Sequence, residues 1–236
     1  KTRTIAGTRG NIYDRNGNLL AYNELAYAVT IEDDITGKDR NKRLNAILAK
    51  VIEIVESHGD SVINSFGIVL DSSGEYEFSQ TNRTLRLRFI ADVYGEIYVD
   101  DLSEKQKNAS PGELITYLCT DENYGYGIDI ENLDKEYVLK MVNLRYAISL
   151  NSYQKFIPTV LASDVSDETA AAIMENLDVL TGVDIAEESL RRYAEGNYFA
   201  NVIGYTGKIS QDEYDALDED MKEKYTLSDV VGKAGI

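Results

Sequence analysis

Residues 9–21 read Arg-Gly-Asn-Ile-Tyr-Asp-Arg-Asn-Gly-Asn-Leu-Leu-Ala, and the reading of this stretch decides the fold. Asn16-Gly17 is a strong hairpin signal: both central residues of a type I′ turn need φ > 0, which Asn and Gly tolerate best. Ile12 and Tyr13 lead in, and Leu19, Leu20 and Ala21 lead out, so a strand is expected on each side. Arg9, Asp14 and Arg15 surround the turn and are expected to form a charge-assisted hydrogen-bond cluster that fixes its angle. The plainer alternative is a surface hairpin with solvated charges.

A chain of 236 residues is long enough for a sizeable core, and its 43% apolar and 28% charged content are those of a globular protein. The net charge of −17 argues against nucleic acid, whose phosphates require a basic face, and against adhesion to an anionic membrane surface. Cys119 is the sole cysteine, so an internal disulfide is impossible, and a small buried hydrophobe is its expected role. His58 is the sole histidine, which removes zinc sites built on several His or Cys. It sits before Gly59, as a C-terminal-turn histidine does. No apolar run reaches the eighteen residues of a membrane span, and both ends read as cuts in a longer chain. No cofactor is expected.

Further along, residues 26–31 are rich in β-formers and read as a strand, and Glu32–Gly37 as an acidic turn. Leu44, Ile47, Leu48, Val51, Ile54 and Val55 recur at three- and four-residue spacings, predicting a helix over 38–57. In 85–89, leucine and phenylalanine alternate with arginine, so strand and helix both remain open there. Ser110-Pro-Gly-Glu113 is a capping box with proline at the first helical position, and a second helix is predicted over 134–149. Asp121–Asp129 is acidic but lacks the order of an EF-hand loop. Asn82-Arg-Thr84 and Asn108-Ala-Ser110 match a short glycosylation pattern that arises often by chance. Residues 156–161 read as a strand, Ser166 as a helix cap, Gly182–Ile185 as a short strand, and Ser210-Gln-Asp-Glu213 as another capping box opening a helix through Leu217.

Three segments carry a resemblance: the stretch 9–21; Arg192-Tyr193-Ala-Glu-Gly196 with Ala200–Gly207, which includes Gly204; and Asp229-Val-Val-Gly232-Lys-Ala-Gly235-Ile236. They are similar to the motifs R-G-x-I-Y-D-R-N-G-x-x-L-A, R-Y-P-x-G…A-H-V-I-G-Y-x-G and D-x-V-G-x-x-G-L/I-E of the pedestal, or dimerisation, domain of class B penicillin-binding proteins. Ala194 replaces the usual proline and Asn201 the usual histidine. The run from Leu144-Arg-Tyr146 through Val160-Leu-Ala162 to the capped helix at Ser166 also follows the family's order.

The resemblance implies a non-catalytic module on the outer face of the bacterial cytoplasmic membrane, anchored by a helix outside this sequence. It implies a support that holds a peptidoglycan transpeptidase domain lying beyond Ile236 and contacts membrane polymerase, division or elongation proteins, with a homodimer as a further option. The expected fold is α+β: a base of short antiparallel strands from both chain ends (1–37 plus 155–236), with a helix-containing head (38–154) inserted. The structural motif residues are Arg9, Gly10, Asp14, Arg15, Asn16, Gly17, Arg192, Tyr193, Gly204 and Gly232. The four glycines are read as positions of positive φ or close backbone approach. Arg9 and Asp14 are expected to pair with polar groups of 192–204, clamping chain start to chain end.

Ser152-Tyr-Gln-Lys155 matches the S-x-x-K nucleophile pattern of penicillin-interacting enzymes. Its local S-x-N match, Ser149-Leu-Asn151, abuts it, no K-T-G is present, and the position lies past a predicted helix. A chance match is expected, and with it no catalytic residue and no metal ligand. The alternative function is an independent extracytoplasmic binding domain for a wall fragment or small ligand.

Overall fold

The computed structural model describes residues 9–151, 158–194, 204–209, 211–222, 225 and 230–234. The fold is α+β, with helices and antiparallel strands. Strands β1 (Ile12–Tyr13) and β2 (Leu19–Ile31) form the opening hairpin. Helix α1 (Arg40–Ser57) follows, then a second hairpin of β3 (Ile68–Leu70) and β4 (Tyr76–Phe78). Next come α2 (Arg83–Tyr94), α3 (Glu104–Lys107), α4 (Pro111–Thr120) and α5 (Lys135–Leu150). Strand β5 (Thr159–Val165), helix α6 (Asp167–Glu175) and strand β6 (Val183–Tyr193) lead to a last hairpin, β7 (Tyr205–Lys208) with β8 (Val230–Ala234). Two short helices, Gln211–Asp215 and Glu219–Lys222, lie between those last two strands in sequence.

The chain forms two compact units, residues 1–24 with 189–236 and residues 25–188. The expectation put these joins at 37/38 and 154/155. Both observed joins fall inside strands, β2 and β6, which are longer than the short strands expected.

The larger unit holds the main hydrophobic core, whose buried residues run from Val29 to Val183. Helix α1 buries Leu44, Ile47, Leu48, Val51, Ile52, Ile54 and Val55, the face its periodicity predicts, and contacts α5 and α6. His58 caps its end, with ring Nδ1 2.8 Å from the carbonyl of Ile54, and Gly59 turns left-handed at φ 85°. The capping box at Ser110 is formed in full: Ser110 N–H donates to Glu113 at 2.7 Å, and Glu113 N–H donates back at 3.3 Å. The open 85–89 stretch is helix. Asn82 accepts the N–H groups of Thr84 and Leu85 at one end, and Gly95 adopts φ 74° at the other. Only one side of α2 is fully buried, at Ile90, Ala91 and Val93.

Helix α5 is buried on more than one face, since five consecutive residues, Met141 to Arg145, are covered. Two of them are polar and must find partners. Asn143 donates to the carbonyl of Ile63 and accepts the N–H of Ser65 at 3.3 Å. Arg145, 3% exposed, donates to Asn45 Oδ1, to Asn41 Oδ1 at 2.6 Å and to the Tyr126 carbonyl at 3.3 Å. Its guanidinium carbon also lies 4.8 Å from the centroid of the Tyr126 ring. Burial pulls the arginine down to about 10, which leaves it charged at neutral pH. Asn41 and Asn45 donate in turn to the carbonyls of Gly125, Tyr126 and Gly127. This network fastens the loop after α4 to both α1 and α5. Asp121 and Asp129 spend carboxylate oxygens on N–H groups of their own turns.

In the same unit, β2 pairs antiparallel with β5 through Tyr27–Val165 to Ile31–Thr159. It also pairs with β6: Glu32 N–H donates to Gly182 O at 2.8 Å, and Thr30 Oγ1 to Asp184 O at 3.2 Å. The strand expected from 156 onward runs from Thr159, and residues 156–157 lie outside the described residues. Asp164, in β5, is the described non-glycine residue with positive φ, at 55°. The Glu188 carboxylate holds this kink by accepting the Asp164 N–H at 3.1 Å and Ser163 Oγ at 2.5 Å. Ser166 caps α6, and Asp60 Oδ2 accepts the N–H and hydroxyl of Ser166 and the hydroxyl of Thr169 at 2.5–2.9 Å.

Several carboxyls are held below their usual range by such bonds. For Asp60, burial acts the other way, but the Thr169 and Ser166 donors outweigh it. For Glu113 the Ser110 N–H leads, for Asp71 the Ser73 hydroxyl, and for Asp14 and Asp129 the side-chain amides of Asn18 and Asn132. A folded pKa below the unfolded value stabilises the fold above that unfolded value and ceases to do so as pH falls through the folded one. Urea denaturation between pH 7 and 3 should therefore show stability nearly level down to about pH 5 and falling below about pH 4. A fall beginning near pH 6 would contradict this.

Candidate functional site

The opening segment carries six of the ten sequence-predicted motif residues, and the turn of its hairpin differs from the expectation. Asp14 N–H donates to Asn18 O at 2.9 Å, and Gly17 N–H to Asp14 O at 3.0 Å. Gly17 has φ 85° while Asn16 is not left-handed. This is a three-residue loop, a type I turn closed by a left-handed glycine, in place of a two-residue I′ turn. Asp14 is the cause. Its Oδ1 accepts the N–H groups of Asn16 and Asn18, both at 2.8 Å, and Oδ2 takes the Asn18 side-chain amide at 2.8 Å. These bonds hold residues 15 and 16 in a right-handed turn and leave the positive φ to glycine.

The second hairpin repeats the device. Asp71 N–H donates to Glu75 O, Gly74 N–H to Asp71 O, Asp71 Oδ1 accepts from Ser73 and Glu75, and Gly74 has φ 79°. The shared signal is Asp-x-x-Gly, legible in the sequence at both places.

In the smaller unit residues 20–24 meet residues 191–194. The Ala194 N–H donates to Leu20 O at 3.0 Å, and Arg191 Nη1 to Asn23 Oδ1 at 3.3 Å. Arg192 Nε donates to Glu24 Oε2 at 2.6 Å, and Asn23 Nδ2 to the carbonyl of Arg9. The end-to-end pairing among described residues thus runs through Asn23 and Glu24, with Asp14 engaged by its own turn. Arg15 and Asn16 are exposed at the loop, and Tyr193 is 43% exposed. The motif residues from 195 to 203, Asn201 among them, lie outside the described residues.

Gly17 and Gly204 have φ of 85° and 78°. Gly10 and Gly232 do not need glycine for either reason proposed: neither has positive φ, and a Cβ on either meets nothing within 4 Å. Gly232 pairs with Thr206 within the β7–β8 ladder. Gly207 is the constrained one, since a Cβ there comes within 3.3 Å of the Lys233 stem, whose ammonium pairs with Glu213.

The Arg192–Glu24 pair is half-exposed on both sides, at 38% and 51%. Exposed pairs of this kind contribute about 0.2–1 kcal/mol. Arg192→Ala should lower the stability of the isolated chain by less than about 1 kcal/mol in urea denaturation. A loss above about 2 kcal/mol would show that the pair bears a load its exposure denies.

The described residues of the smaller unit bury few apolar side chains. Among its described residues only Ala21 and Ile209 are buried apolar side chains. Tyr13, Leu19, Tyr193, Tyr205, Met221 and Tyr225 are instead 37–65% exposed. The described contacts within it are strand pairing, turns and ion pairs. Among the described residues no group of three or more His, Cys, Asp or Glu is placed to hold a metal. Burial raises the Cys119 thiol to about 12, which makes it inert as a nucleophile. Ser152 and Lys155 lie outside the described residues.

The family profile described as the penicillin-binding protein dimerisation domain matches residues 4–236. The chain belongs to that family. It is the pedestal domain of a class B penicillin-binding protein. The peptidoglycan D,D-transpeptidase MrdA of Salmonella typhimurium strain SL1344 is 33% identical over 89 residues, 37% of this chain and 14% of the relative. The protein of the same name from Acinetobacter baumannii is 27% identical over 116 residues, 46% of this chain and 17% of the relative. The chain thus spans less than a fifth of the length of these relatives. Among solved structures, penicillin-binding protein 2B of Streptococcus pneumoniae strain 5204 matches with a TM-score of 0.45 and 17% identity, over 98% of this chain and 33% of that one. A Helicobacter pylori PBP2 in complex with MreC matches at 0.42 and 20%, over 98% and 27%. Among the described residues no helix is long and apolar enough to cross a membrane.

Proposed function

We propose that this pedestal domain performs no chemistry of its own and supports a D,D-transpeptidase domain of the same polypeptide on the outer face of the cytoplasmic membrane. Its chain-end unit is completed by other parts of the wall-synthesis machinery. Two observations support the reading: relatives of this chain are named D,D-transpeptidases, and the family it matches is described as a dimerisation domain. The observation that carries the reading is the set of six exposed aromatic or large apolar side chains among the described residues of the chain-end unit. Exposed apolar side chains of this kind mark a surface that docks a partner. Partners are accordingly polymerase, division or elongation proteins of the membrane.

The test uses the full-length parent protein. Tyr193 and Tyr205 are replaced together by Asn. The variant should still be acylated by a labelled β-lactam and should fail to complement loss of the parent protein in growth. Complementation at the wild-type level would contradict docking through this unit. A rise in the Tm of the isolated chain on adding muropeptides would favour an independent binding domain instead.

A further inference from the structure

Asn16-Gly17, at the tip of the opening hairpin, carries a chemistry that the turn itself restrains. It is the one place in the sequence where glycine follows asparagine. Both residues are exposed, and a Cβ built on Gly17 meets nothing within 4 Å. With no side chain on the following residue, the Gly17 backbone nitrogen is unshielded toward the Asn16 side-chain amide, and glycine gives the link its widest range of rotation. Attack of that nitrogen on Asn16 Cγ closes a five-membered succinimide. The new N–C bond replaces the Cγ–Nδ2 bond, the backbone N–H proton passes to solvent, and the side-chain nitrogen departs as ammonia. Water then opens the ring at either carbonyl, leaving aspartate or isoaspartate. The sequence of steps consumes only water and needs no oxidant, metal or second protein.

The hairpin opposes the first step. Attack requires the Gly17 nitrogen to give up its proton, and residues 16 and 17 to rotate until that nitrogen faces Cγ. Gly17 instead donates its N–H to Asp14 O at 3.0 Å. Asp14 Oδ1 accepts the N–H groups of Asn16 and Asn18 at 2.8 Å each, and Oδ2 accepts the Asn18 side-chain amide at 2.8 Å. One residue therefore ties down the backbone on both sides of Asn16, with Gly17 at φ 85°. The Asn18 amide leads in holding the Asp14 carboxyl below its usual range, and Asn16 adds to it. Asp14 is thus a carboxylate at neutral and alkaline pH, where loss of the backbone proton favours ring closure. Neither product fits the brace. Each sets a second carboxylate beside that of Asp14, and like charges at that range repel. Isoaspartate also lengthens the backbone by a methylene inside the turn.

We propose that Asn16-Gly17 is a self-modification site kept latent by Asp14, a positioning residue that slows deamidation by holding the turn closed on the Gly17 N–H. The argument stands on the geometry of one hairpin and does not depend on the pedestal reading.

The test incubates the whole chain in mildly alkaline buffer and follows Asn16 by peptide mapping with mass spectrometry, separating aspartate from isoaspartate by chromatography. A synthetic peptide of residues 9–21 supplies the rate without the fold. Asn16 in the chain should convert at least about ten-fold more slowly than in the peptide. Asp14→Ala should speed conversion in the chain about ten-fold and change the peptide's rate by less than about two-fold. Asp14→Asn keeps an acceptor oxygen for the Asn16 and Asn18 N–H groups and should restore most of the protection. Asp71→Ala removes the matching brace of the second hairpin and should leave Asn16 at the parent rate, which separates loss of this brace from general loosening of the fold. A parent rate equal to the peptide's, no acceleration by Asp14→Ala, or equal acceleration by Asp14→Ala and Asp71→Ala would overturn the proposal.

Discussion

Arg145→Ala is expected to lower the stability of the chain by about 3–5 kcal/mol, the larger of the two effects argued here. The guanidinium is 3% exposed, and its partners are neutral: the side-chain oxygens of Asn41 and Asn45, the Tyr126 carbonyl and the Tyr126 ring. Truncation strands acceptors that no longer reach water, each costing about 1–3 kcal/mol, and opens a cavity between α1 and α5. Arg145→Met separates the two contributions. Methionine refills the volume and restores no donor, so it should recover only the cavity part. Urea denaturation of the three proteins decides. A methionine variant as stable as the parent would show that the polar network is merely tolerated, as buried charges replaced by apolar groups sometimes are.

Gly182→Ala is expected to cost about 3 kcal/mol, through a different cause. Gly182 has φ +82°, and a Cβ there falls 2.4 Å from the carbonyl oxygen of Glu32. The obstacle is backbone, which cannot rotate away, and the same two residues share the Glu32 N–H to Gly182 O bond. Relief therefore requires β6 to part from β2 at this point. For a body of this size the loss corresponds to a Tm lower by about 6–12 °C. Gly10→Ala is the contrast, having open space and ordinary φ, and its Tm should move by less than about 2 °C. Thermal scans showing equal shifts for the two would contradict the geometry.

These residues also show where the chain's structure was readable. Helices α1, α4, α5 and α6 follow from apolar spacing and from Ser110 and Ser166 as caps, because local rules and burial agree there. Helix α2 was ambiguous because Leu85, Leu87 and Phe89 alternate with arginines, a pattern that fits a strand. The deciding marks were the ends, Asn82 and Gly95, which bracket a helix of twelve residues. The opening hairpin was legible, but its turn type was not. Asn16-Gly17 points to I′, and Asp14 overrides it with bonds to Asn16 and Asn18. The same Asp-x-x-Gly pattern at Asp71–Gly74 passed unread.

Strand β6 resisted reading because its residues 187–192 carry four charges, two acids followed later by two arginines, with no alternation to mark a strand. Arg145 was visible only as part of a family-like run. Its burial follows from α5 being covered on several faces, and a short-range pattern does not encode that. Asn41 and Asn45, four apart on the helix that faces it, were the available clue. Asp14 spends carboxylate oxygens on its own turn, and Glu24 accepts from Arg192, while residues 195–203 of the segment expected to pair with Arg9 and Asp14 lie outside the described residues.

Hydrogen exchange on the isolated chain tests the central claim most directly, namely that the chain-end unit, whose described residues bury few apolar side chains, is less stable by itself than the larger unit. Amides of Leu48, Val51 and Leu144 in the larger unit should be protected to the level of global unfolding. Amides of 19–24, 191–194, 205–208 and 231–234 should exchange at least about 100-fold faster. Equal protection of both sets would mean that the smaller unit carries a full core of its own, and the account of it as a base completed by docking would fall.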